Sequence, residues 1–115
     1  METQRADALI IGGSPRFNAL RREISQSAAN IRLPNIAFSH EFVEDGALMS
    51  YAPSFVEAIR RTAYYVDRIL KGAKPADLPI EQPTKFSLVV NGRVAKALGI
   101  MIPNTILLRA DRVIE

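Results

Sequence analysis

At 115 residues, with 48% hydrophobic and 23% charged side chains, the chain has the size of one ordinary globular domain and is too apolar to remain disordered. It has no cysteine, which excludes disulfides, thiolate nucleophiles and cysteine-ligated zinc together. A net charge of +3 and a pI near 9.6 raise the question of nucleic acid; but the arginine pairs Arg21-Arg22 and Arg60-Arg61 fall on polar sides of amphipathic segments, no basic run is interleaved with aromatics, and no nucleic-acid partner is expected.

The polar opening Met1-Glu2-Thr3-Gln4 leads into the short apolar run Ala8-Leu9-Ile10-Ile11, which stops at Gly12-Gly13 and predicts a buried strand. Ser14 and Pro15 read as a helix cap and first helical residue. Phe17, Leu20, Ile24 and Ala28 recur at helical spacing, predicting a single amphipathic helix. Asn35-Ile36-Ala37-Phe38 is the next strand, followed by the loop Ser39-His40-Glu41, with Phe42-Val43 turning back into the core before Asp45-Gly46. Ala47 to Tyr51 predicts a third strand. Pro53-Ser54 opens a long helix whose stripe is Phe55, Ile59, Thr62-Ala63, Val66 and Ile69-Leu70, with Gly72 as its stop. Ala73 to Pro83 holds three of the seven prolines and reads as an extended connector. Phe86 to Val90 is a fourth strand, Asn91 caps a short helix ended by Gly99, Asn104 caps another helical turn, and Asp111 to Glu115 is an extended tail. Strands alternating with helices predict an α/β layer fold on a mainly parallel sheet, one domain over residues 1–115.

In open α/β sheets ligands gather at the carboxyl ends of strands. Gly12-Gly13-Ser14-Pro15, Ser39-His40-Glu41 and Ser50-Tyr51-Ala52-Pro53 occupy such positions. The first offers backbone N–H groups to a carboxylate or phosphate, or is a plain tight turn; its spacing matches neither G-x-G-x-x-G nor a P-loop. His40 is the sole histidine, and acid–base chemistry with Glu41 would need a second positioned group that the sequence does not nominate, so no catalysis is expected. A solvated loop histidine and a ligand contact both stay open. With one imidazole and no ligand-spaced carboxylates, no metal or other cofactor is expected. Phe17 suits core packing on its helix stripe, whereas Tyr51 suits either packing or stacking on a ligand. Nothing approaches the roughly 18 apolar residues of a membrane span, and the first residues lack a signal-peptide pattern, so the chain as written carries no export signal and would be cytoplasmic.

The run Tyr64-Tyr65-Val66-Asp67-Arg68-Ile69-Leu70-Lys71-Gly72-Ala73-Lys74-Pro75-Ala76-Asp77-Leu78-Pro79-Ile80-Glu81-Gln82-Pro83-Thr84-Lys85-Phe86, with Ala95 to Ile100, Leu107 to Glu115, Glu41 to Glu44 and Gly46 to Tyr51, resembles the ABC-transporter substrate-binding proteins of the tryptophan/tyrosine-type group. The resemblance starts at Ala6 and covers nearly the whole chain. It implies a type I periplasmic-binding fold, in which two α/β lobes joined by three crossovers close on a solute. The chain would be a truncated second lobe, a three-layer, mostly parallel sheet. Such proteins deliver small solutes, aromatic amino acids among them, to an ABC permease from the periplasm, and do no chemistry. The ligand-facing residues implied here are Ser14, Pro15, Phe17, Asn18, Ser39, His40, Glu41 and Tyr51. Relatives often carry aspartate at the Ser14 position, so the charge suited to a ligand's amino group is missing there. In the family the helix matching Pro53 to Lys71 packs on the first lobe; without that partner its stripe is expected to drive a homodimer. The alternative is a stand-alone oligomeric or regulatory α/β domain without a transport function.

Overall fold

The structure, a computed structural model, describes residues 5–115; the polar opening Met1 to Gln4 lies outside the described residues. The chain divides into two compact units, one built from the residues up to Ala52 together with Ser87–Glu115, the other from Pro53–Phe86.

The first unit is organised on a mostly parallel sheet in the order β1 (Leu9–Ile11), β2 (Asn35–Ala37), β3 (Met49–Pro53), β4 (Phe86–Asn91) and β5 (Arg112–Ile114). β1–β2, β2–β3 and β4–β5 pair in parallel, which bears out the expected α/β fold on a mainly parallel sheet. Register places Ile11, Ala37 and Ser50 in one row and Ile10, Ile36 and Met49 in the adjacent row, pointing to the opposite face because side chains alternate. The first row is buried and belongs to the core, where Ile11 and Ala37 pack with Phe42 and Ala47 and are flanked by Leu9, Ile24 and Phe38. On the other face Ile10 is 82% exposed.

Asn35 fixes how the chain enters β3. It is buried, accepts a hydrogen bond from the Leu48 N–H at 3.1 Å and donates to the Leu33 carbonyl at 3.4 Å. Buried backbone groups must find partners, so this amide specifies one register.

The structure departs from the sequence expectation at three places in this unit. The single helix after Ser14 is two helices, α1 (Pro15–Ala19) and α2 (Arg21–Asn30), broken at Leu20, whose φ of −99° and ψ of 13° leave the helical region. Ile24 packs on the core and Ala28 is buried, whereas Phe17 and Leu20 are 43% and 37% exposed, so the apolar stripe reaches the core only beyond the break. His40, expected in a loop, is the first residue of α3 (His40–Glu44), which drives Phe42 and Val43 to full burial. The expected tail contains β5. Asp111 holds it there, donating its N–H to the Leu88 carbonyl at 2.8 Å while its carboxylate accepts from the Leu88 N–H at 2.8 Å. After β4 come α5 (Gly92–Leu98), which Gly99 ends with a left-handed φ of 70° as its sequence predicts, and α6 (Asn104–Leu107).

The second unit is α4 (Phe55–Leu70) and the connector that follows. The Ser54 hydroxyl accepts from the Glu57 N–H at 3.4 Å, satisfying one of the free donors of the first turn. At the other end Gly72 takes a φ of +100°, which glycine adopts without the steric cost of a Cβ. A 3-10 turn at Pro75–Asp77 begins the connector. The extended stretch beyond it is tied back to α4 by a two-pronged Arg61–Glu81 ion pair and by the Tyr65 hydroxyl, which donates to the Pro79 carbonyl at 2.6 Å. The Arg61 guanidinium also lies 4.1 Å from the Tyr64 ring centre.

Candidate functional site

Aligned register brings the carboxyl ends of β1 and β2 level with Ser50 of β3, which runs three residues further, because Ile11, Ala37 and Ser50 are partners across the sheet. The segments leaving that edge therefore start side by side: Gly12-Gly13-Ser14 from β1, Phe38-Ser39 from β2, and Tyr51 within β3 itself. A Cβ on Gly13 would come within 3.6 Å of the Phe38 ring, so the β1 turn and the end of β2 run in close contact. Phe38 in turn meets Phe42 edge-on, with ring centres 5.3 Å apart, which anchors α3 under the edge.

Ser14, Ser39, His40, Glu41 and Tyr51 are thus set along one edge by the backbone. Ser14 occupies the cap position of α1 but its side chain makes no capping hydrogen bond. Pro15 follows as the first helical residue. Phe17 and Asn18 sit further along α1, where the Asn18 carbonyl accepts from Arg21 at 3.3 Å. Tyr51 is 56% exposed.

On this edge Glu41 lies beside His40, with Oε2 and Nδ1 3.8 Å apart. Partial burial pushes the Glu41 carboxyl up, but the Ser39 hydroxyl, its own backbone N–H, His40 and Arg21 together outweigh it and hold the group below the usual carboxylate range. Glu41 therefore stays ionised at neutral pH. The Ser39 hydroxyl is itself buried, with no partner of full hydrogen-bond geometry among the described residues.

At the entry to β3, where its N–H donates to the Leu48 carbonyl, Asn91 ties α3 to α5. Its Nδ2 donates to the Val43 carbonyl of α3 at 3.0 Å and its Oδ1 accepts from the Val94 N–H of α5 at 3.1 Å. Its capping role is legible in the sequence. The bond to Val43 is not, because it spans 48 positions.

Two cavities stand out, and neither includes these residues. One, of about 590 Å³, lies in the second unit between α4 and the connector, lined by Arg61, Tyr65, Glu81 and Lys85 among others. The other, of about 350 Å³, is an apolar hollow lined by Leu9, Leu20, Ile24 and Leu33. Among the described residues no group of three or more His, Asp or Glu side chains is placed to hold a metal, and no helix is long and apolar enough to cross a membrane.

The family model described as ABC transporter substrate binding protein matches residues 5–114. A solved structure from Vibrio cholerae, described as a conserved domain protein, is similar with a TM-score of 0.87 and 27% identity, over 94% of this chain and 36% of its own. A second, the ABC domain in complex with L-Trp from Streptococcus pneumonia, has a TM-score of 0.86 and 28% identity, over 96% of this chain and 38% of its own. A ligand-free, open substrate-binding protein from Clostridium difficile shares the fold at a TM-score of 0.64 and 23% identity. No curated protein matches. The chain spans 36–38% of the length of the first two structures.

Proposed function

The chain belongs to the ABC transporter substrate-binding protein family, matched along residues 5–114, and from that premise we propose that it is the carboxyl-terminal lobe of the solute-binding component of an ABC importer. Its ligand is a small solute, an aromatic or other amino acid, which it presents to an ABC permease from the periplasm without chemical change. The observation that supports this reading is the strand register, from which the segments carrying Ser14, Ser39, His40, Glu41 and Tyr51 start side by side. The L-Trp held by the Streptococcus pneumonia structure supports the ligand class.

Residue chemistry distributes the roles. Tyr51 offers an aromatic surface for stacking. Ser14 contributes polarity without charge, so the carboxylate for a ligand's ammonium group is the ionised Glu41. Pro15 shapes the turn, and Phe17, Asn18, Ser39 and His40 extend the face. Working pockets bury most of their ligand, so a single face binds weakly, with a dissociation constant on the order of 1 mM.

Calorimetric titration with tryptophan, tyrosine and branched amino acids tests this. Saturable binding of an aromatic amino acid, weakened several-fold by Glu41→Gln and by Tyr51→Ala, is expected. Absence of binding across the panel, or binding indifferent to both substitutions, refutes it.

A further inference from the structure

Of the five asparagines in the chain, only Asn91 precedes a glycine; Ala19, Ile31, Ile36 and Thr105 follow the other four. The pairing has a chemical meaning. The backbone nitrogen of the next residue can attack an asparagine side-chain carbonyl carbon and close a five-membered imide. A side chain on that next residue crowds the approach, and Gly92 carries none.

The fold holds this pair out of reacting geometry. Ring closure needs the Gly92 nitrogen eclipsed with Cβ about the Asn91 Cα–C bond, which for an L residue is a ψ of about −120°. Asn91 has a ψ of 100°. Its side chain therefore lies nearly opposite that nitrogen, and ψ must turn by about 140° to bring the two together. Such a turn breaks the corner between β4 and α5. The Asn91 N–H donates to the Leu48 carbonyl at 2.8 Å, Nδ2 donates to the Val43 carbonyl at 3.0 Å, and Oδ1 accepts from the Val94 N–H at 3.1 Å. Asn91 is also paired with Ile114 of β5 and only 6% exposed, so water is kept from its side chain as well.

We propose that Asn91 is a spontaneous deamidation site that the native fold keeps shut, and that its conversion frees α3 from α5 while leaving the α5 cap in place. When the corner opens, the deprotonated Gly92 nitrogen bonds to Asn91 Cγ. The Cγ–Nδ2 bond breaks, and Nδ2 leaves as ammonia with the proton that the Gly92 amide gave up. Water then opens the imide. Attack at Cγ gives aspartate on an unchanged backbone; attack at the residue 91 backbone carbonyl carbon gives isoaspartate, whose main chain runs through Cγ.

The outcome follows from the two side-chain bonds of Asn91. One carboxylate oxygen of the product still accepts from the Val94 N–H, and aspartate caps helices as well as asparagine does. The other takes the place of Nδ2, 3.0 Å from the Val43 carbonyl oxygen. A donor facing an acceptor becomes two acceptors facing each other, one of them charged and shielded from water. The cost falls on α3, whose Phe42 and Val43 are fully buried. Isoaspartate adds a further backbone atom at the same corner.

Peptide mapping by mass spectrometry, on wild-type chain held at mildly alkaline pH with and without guanidinium chloride, tests the site and its gate. In denaturant Asn91 should convert ahead of the other four asparagines. In native buffer it should convert about a hundredfold or more slowly, because only the ~1% or less of molecules with the corner open can react. Equal rates in the two conditions overturn the gate, and an Asn91 no faster than Asn18 or Asn30 in denaturant overturns the site. Gly92→Ala, compared in denaturant where folding is not at issue, should slow the reaction several-fold; an unchanged rate contradicts the part given to glycine. Hydrogen exchange on Asn91→Asp reads the consequence. The Asp45 and Gly46 amides, which bond back to Glu41 and Val43, should exchange several-fold faster than in wild type, with the Val94 amide still protected. Unchanged protection of Asp45 and Gly46, or equal loss at Val94, overturns the release of α3. Neither experiment involves an amino-acid ligand, so failure of either leaves the solute-binding reading standing.

Discussion

Replacing Asn91 with alanine removes the side chain that ties α3 to α5. Asn91 is 6% exposed and makes two bonds at once, donating to the Val43 carbonyl at 3.0 Å and accepting from the Val94 N–H at 3.1 Å. Loss of the α5 cap costs about 0.5–2 kcal/mol. Val43 is fully buried, so its carbonyl loses a donor that water does not readily replace, adding about 1–3 kcal/mol. The expected destabilisation is about 2–4 kcal/mol, a large share of the roughly 5–15 kcal/mol that holds a domain of this size together. Asn91→Ser separates the two contributions, because serine caps a helix but is too short to reach Val43; it should lose about half as much. Urea unfolding followed by far-UV circular dichroism gives both values from the midpoint at constant slope. A loss below about 0.5 kcal/mol for Asn91→Ala, or equal losses for both variants, refutes the reasoning that this amide braces α3 and α5 together.

Two further changes follow from the same hydrogen-bond inventory. Ser25 in α2 is 1% exposed and its hydroxyl has no partner among the described residues, so Ser25→Ala should raise stability by up to about 1 kcal/mol, since alanine favours helix and leaves no buried polar atom unpaired; a clear loss in the urea midpoint would show that the hydroxyl is satisfied in solution. The hydrogen bonds and charge of Arg61 hold the Glu81 carboxyl below its ordinary value of 4.5, so the tie between connector and α4 is fully present above that pH and is lost as pH falls through the depressed value. A carboxyl-detected NMR titration of Glu81 should place its midpoint below 4.5 and Arg61→Ala should return it towards 4.5; an unchanged midpoint in the variant would contradict the assignment.

The strands and the long helix were legible because their signals are local. Apolar β-branched runs ended by Gly12-Gly13 or Asn91-Gly92, and a helical stripe closed by Gly72, are visible within a few residues of sequence. β5 was not, since Arg112–Ile114 becomes a strand only through pairing with β4, which the Asp111–Leu88 bonds secure from 23 positions away. The break at Leu20 escaped for a related reason: helical spacing continues through it, and which apolar residues reach the core depends on where the sheet lies. The candidate face was legible as separate segments from the rule that ligands gather at strand ends. Its assembly, through aligned register and the contact of Gly13 with Phe38, depends on tertiary pairing.

The most direct test of a ligand-binding face at the strand ends is a ¹⁵N NMR titration of the chain with L-tryptophan. Saturating shifts should concentrate at Gly13–Ser14, Ser39–Glu41 and Tyr51, with the linings of the two cavities unchanged. Shifts confined to Arg61, Tyr65 and Glu81, or to Leu9, Ile24 and Leu33, would place the ligand elsewhere and contradict the assignment of the strand edge.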